Sequence, residues 1–84
     1  MMAQKYTFRL ITKDKNAADA FKNSARYISD TCGSDVSFKI IPPNDHVAEG
    51  FTRHLYLNVR SDNSFAIARI KFSGCAGITC LPHG

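Results

Sequence analysis

Residues 61–74 read SDNSFAIARIKFSG, and the fold of the whole chain turns on the period assigned to them. At a period of two, Ala66, Ala68, Ile70 and Phe72 alternate with Phe65, Ile67, Arg69 and Lys71, which describes a strand; SDNS is then the turn of a hairpin with the strand before it. At the helical period Ser64 caps the segment and Gly74 ends it, but Phe65, Ile67 and Ile70 spread around most of the circumference instead of gathering on one stripe. That scatter favours the strand. The hairpin reading makes the chain β-α-β-β-β, whereas the helical one makes it β-α-β-β-α-β, the ferredoxin-like arrangement, with ITCL at 78–81 as a short last strand. Both are α+β, with a small antiparallel sheet and one long amphipathic helix on one face.

The segments before this stretch have clearer periods. KYTFRLIT at 5–12 alternates, with Tyr6, Phe8 and Leu10 on one face and Thr7, Arg9 and Ile11 on the other, the pattern of a half-buried strand. From Asn16 to Gly33 the period changes: Ala17, Phe21, Ala25, Ile28 and Cys32 recur every three or four residues, while Asp19, Lys22, Arg26 and Asp30 face away. Asn16 is the expected N-cap and Gly33 the expected C-terminal stop. DVSFKII at 35–41 alternates again, with Val36, Phe38 and Ile40 inward, and Pro42-Pro43 ends it because proline donates nothing to a ladder. RHLYLNV at 53–59 puts Leu55, Leu57 and Val59 on one face and His54, Tyr56 and Asn58 on the other.

Eighty-four residues, 44% of them apolar and 21% charged, suffice for one core and not for two, so residues 1–84 are expected to form a single domain. No apolar run reaches signal-peptide or membrane-span length, which leads to the expectation of a cytoplasmic protein with no membrane partner. Three cysteines, an odd number, suit free thiols in a reducing compartment. The net charge of +4 is unevenly placed: the basic residues gather in 1–26 and 53–71, and Asp30, Asp35, Asp45 and Glu49 outnumber Lys39 in the middle.

Catalytic signatures are missing from the sequence. There is no phosphate-cradling glycine loop, no G-x-S-x-G and no H-E-x-x-H. Cys75, Cys80 and His83 offer one hook of unusual spacing for zinc, where a structural site wants four soft ligands, usually as paired hooks. A Cys75–Cys80 disulfide would close too short a loop to stabilise much. The expectation is therefore no cofactor and no metal, with Cys32 and Cys80 as small buried hydrophobes and Cys75 in a glycine-flanked turn. His46 and Glu49 read as loop-surface residues.

Binding remains. If the helix covers the face of Phe8, Leu10, Phe38, Leu55 and Leu57, the opposite face presents Arg9, Ile11, Lys39, Ile41, His54, Tyr56 and Asn58, a basic surface with an aromatic ring in it. Arg9, Lys39, His54, Tyr56 and Asn58 are the candidate binding residues. The expected function is that of a small non-enzymatic protein engaging a protein or nucleoprotein partner through this face. Inhibition of the partner is one outcome, as with small phage-encoded inhibitors of host machinery. The alternative is a module for single-stranded RNA or DNA, and a third reading is a small domain clipped by zinc.

Overall fold

The computed structural model describes residues 5–42 and 50–82. The elements run β1 (Tyr6–Thr12), α1 (Lys15–Cys32), a 3-10 turn (Gly33–Asp35), β2 (Val36–Ile41), β3 (Arg53–Val59), α2 (Asp62–Phe72) and β4 (Thr79–Pro82). The strands form one antiparallel sheet in the order β2-β3-β1-β4, so β3 lies between β1 and β2, and β1 lies between β3 and β4. This is the ferredoxin-like member of the two expected architectures.

The hairpin reading of residues 61–74 is overturned: the segment is a helix. Ser61, not Ser64, is the N-cap, its Oγ accepting from the Ser64 backbone N–H at 3.1 Å. The buried side of α2 is Ser64, Ala68 and Phe72, a helical stripe flanked by the half-buried Phe65. Ile70, 70% exposed, lies off this stripe, and that outward isoleucine is what blurred the period. A hairpin strand would also have found no free edge on β3, whose two sides are taken by β1 and β2.

A second correction concerns the start of α1. Asp14 is the N-cap, accepting from the Asn16 backbone N–H at 2.9 Å, so Asn16 is already inside the helix. The buried face is Ala18, Phe21, Ala25 and Ile28, with Ala17 and Cys32 only partly buried beside it. Gly33 ends the helix as expected, at φ 62°, a left-handed value that suits glycine.

Both helices cover the same face of the sheet. Leu55, Leu57 and Val59 of β3 are fully buried there, with Phe8 and Leu10 of β1 nearly so. A run of aromatic rings binds the layers: Tyr6 stacks on Phe65 at 4.0 Å, Phe65 on Phe8 at 5.5 Å, Phe8 meets Phe72 at 5.2 Å, and Phe72 stacks on Phe21 at 4.7 Å. Phe38 continues the run, 6.1 Å from Phe21, but on the edge strand β2 it stays 38% exposed. Lys71 Nζ lies 3.8 Å from the centre of the Tyr27 ring, a cation–π contact joining α2 to α1. Among the described residues, no helix is long and apolar enough to cross a membrane.

The 3-10 turn is tied to the start of α2. Ser61 Oγ donates to Asp35 Oδ2 at 2.5 Å, and Ser64 Oγ donates to the same oxygen. The Arg60 backbone N–H donates to the Asp35 carbonyl at 3.0 Å, and its guanidinium to the Ser34 carbonyl at 2.9 Å. The two serine hydroxyls, aided by Arg60, hold the Asp35 carboxyl below the usual carboxylate range.

Candidate binding face on the open side of the sheet

With both helices on one side, the alternation of each strand sends its other residues to the opposite side. Cross-strand register arranges them in three rows. The first runs Ser37, Asn58, Thr7, Leu81; the second Lys39, Tyr56, Arg9, Thr79; the third Ile41, His54, Ile11. All five candidate binding residues therefore share one face, and three of them, Lys39, Tyr56 and Arg9, are direct neighbours across β2, β3 and β1. Lys39 is exposed, whereas Arg9, His54, Tyr56 and Asn58 are half-buried.

None of these outward strand positions carries a carboxylate. The described aspartates, Asp14, Asp19, Asp30, Asp35 and Asp62, belong to the two helices and the turns that begin or join them. Asp62 is engaged by the Tyr6 hydroxyl at 3.1 Å and by Lys5 at 3.5 Å. The open face is thus electropositive by composition, with nothing on its own strands to neutralise Arg9 and Lys39.

Residues of all three rows border a shallow depression of about 400 Å³, lined by Thr7, Lys39, Ile41, Tyr56, Asn58 and Leu81. Within it Thr7 Oγ1 donates to Asn58 Oδ1 at 2.7 Å, tying β1 to β3 and fixing the amide. Thr7 and Leu81 were not among the candidate residues. Thr7 obeys the same alternation that selected Arg9, and Leu81 became placeable only once Thr79–Pro82 was seen as a strand beside β1.

The cysteines are free. Cys80 is exposed, contrary to the expectation of a buried thiol, because β4 is an edge strand that α2 does not fully cover. Cys75 and Cys80 line a smaller pocket of about 180 Å³ with Phe8, Phe72 and Ile78, whose walls push the Cys80 thiol above its ordinary value despite the opposing charge of Arg69. His83, the third member of the zinc clip considered from sequence, lies outside the described residues, as do His46, Asp45 and Glu49. Among the described residues, no group of three or more His, Cys, Asp or Glu could hold a metal ion.

On this geometry the chain offers a basic, aromatic sheet face; no model of a known protein family matches it, and no curated protein matches its sequence.

Proposed function

We propose that this protein is a small non-enzymatic binding module that engages a macromolecular partner through the open face of its sheet. The observation that carries the reading is the row Lys39–Tyr56–Arg9: two cations flank an aromatic ring in direct cross-strand register, on a face whose strands supply no carboxylate. An anionic surface is the complement of that row. Occupying such a surface blocks whatever else would use it, so inhibition of the partner follows from binding alone.

The test is the triple variant Arg9→Glu, Lys39→Glu, Tyr56→Ala. Substitutions at exposed positions usually change stability by less than about 0.5 kcal/mol each, and the half-buried Tyr56 and Arg9 set the upper end of the effect. Wild type and variant are used as baits for extract of the source cells, with circular dichroism confirming that the variant is folded. A partner held by the wild type and lost by the folded variant supports the reading. Equal retention by both moves the working surface off the sheet.

A further inference from the structure

We infer that the partner the open face takes is single-stranded nucleic acid, with one base on Tyr56 and its neighbouring phosphates on Arg9 and Lys39. The inference rests on the reading of the sheet as the binding face and names its ligand.

Three observations favour this ligand over a protein surface. The first is the order of the rows. Protein interfaces place apolar and aromatic groups at the centre and, arginine apart, keep lysine and other charge at the rim. Here the cations occupy the central row, and the apolar Ile11, Ile41 and Leu81 lie in the rows on either side. Central cations suit a ligand whose charge runs along its own backbone. Arg9 and Lys39 stand on strands either side of β3, two strand spacings or roughly 10 Å apart at the backbone, so a chain crossing the sheet meets one cation on each side of the ring.

The second is the depression beside the ring. Its lining combines apolar walls, from Ile41, Leu81 and the Tyr56 ring, with the polar edge formed by Asn58 and Thr7. A nucleobase has that make-up: a flat apolar face that stacks, and a polar edge that hydrogen-bonds. The depression is shallow and open, so a base could lie against the ring without being enclosed.

The third is the Thr7–Asn58 hydrogen bond. With Asn58 Oδ1 accepting from Thr7, the amide N–H groups are what Asn58 offers to a ligand, and they suit the carbonyl oxygens of a base. Stacking on Tyr56 needs an exposed base face, which a paired duplex keeps inside its own stack, so the ligand is single-stranded.

The experiment is fluorescence anisotropy with labelled single-stranded RNA and DNA of roughly ten nucleotides, and with the matching duplex, over a range of salt. The expected result is binding to the single strands in preference to the duplex, weakening with salt at a log–log slope of about −0.7 for each phosphate contacted. Arg9→Gln and Lys39→Gln should each flatten that slope by about 0.7. Tyr56→Ala should weaken binding by roughly 5- to 150-fold at unchanged slope, since stacking involves no counterion, and Tyr56→Phe should retain it. Preference for the duplex, or single-strand binding indifferent to all these changes, overturns the inference. So does failure to bind any strand at low salt while wild-type bait keeps a nuclease-resistant protein partner that the triple variant loses. That last outcome leaves the sheet as the binding face and replaces only its ligand.

Discussion

Phe21 of α1 and Phe72 of α2 stack with ring centres 4.7 Å apart and planes 22° from parallel, so the two helices meet through a pair of aromatic rings above the sheet. Phe21 is fully buried and Phe72 is 4% exposed. The pair closes the core over Phe8, which Phe72 also touches.

Removing that contact should be costly. Phe21→Ala is expected to destabilise by about 3 to 5 kcal/mol, a large part of what an 84-residue domain has in total. A double-mutant cycle with Phe21→Leu and Phe72→Leu should give a coupling of about 0.5 to 1.5 kcal/mol. Denaturant melts of Phe21→Ala that overlay the wild type would show that the helices are held by something else.

Residues 68 and 70 separate helix from hairpin in solution. Ile70→Lys should change stability by less than about 0.5 kcal/mol, because the side chain already faces water. Ala68→Leu should cost about 1 to 3 kcal/mol, because Ala68 is fully buried and added carbons have to displace its neighbours. In a hairpin the two positions would share a face and respond alike. Similar melts for both variants would count against α2.

Asp35 gives stability a dependence on acid. Its carboxyl is held below the usual value by hydrogen bonds from Ser61 and Ser64, so its contribution is complete above the unfolded carboxylate value of about 3.9 and is lost as pH falls through the lower folded value. Denaturation midpoints followed from neutral pH to about pH 2 should therefore fall less steeply for Asp35→Asn than for the wild type. Identical acid limbs would mean that the two serines do not hold the carboxylate.

Cys80 should be accessible yet slow to react. Its thiol is pushed up by the pocket walls it shares with Cys75, so less thiolate is present at neutral pH than on an ordinary exposed cysteine. Alkylation by iodoacetamide, followed by mass spectrometry as pH rises, should show a midpoint above the ordinary thiol value of about 8.5. A midpoint below it would place a cation, not apolar walls, as the dominant neighbour.

The alternations of β1 and β3 could be read directly from the sequence because Phe8, Leu10, Leu55, Leu57 and Val59 make most of their core face apolar, with the buried Arg53 as an exception at the start of β3. The candidate binding residues came with them, since alternation assigns both faces at once. β2 was harder to grade, because an edge position leaves Phe38 partly in water although its parity is inward. The second helix was hidden by Ile70, and its cap by competition among Ser61, Asp62, Asn63 and Ser64, all of which suit a helix start. Ser61 is the cap because its Oγ accepts from the Ser64 N–H, and Asp35 holds both serine hydroxyls from 26 and 29 residues away, contacts that no local pattern announces.

β1 and β3 are the two inner strands of the sheet, each with a neighbour on both sides. Their backbones are therefore held before any ligand arrives, by ladders on both flanks and by the core behind. If Tyr56 and Arg9 bind a partner as proposed, the freedom still to be lost is that of their side chains, about 0.5 to 1.5 kcal/mol for each one immobilised. The same anchoring separates two properties that often conflict in small domains. On the proposed reading, substituting along Lys39, Tyr56 and Arg9 would change which surface is recognised, while Phe8, Leu10, Leu55 and Leu57 on the reverse side keep the scaffold unchanged. The sheet can thus be regarded as a fixed plate whose lettering can be rewritten, and new specificities could be selected on it by randomising one face of four strands.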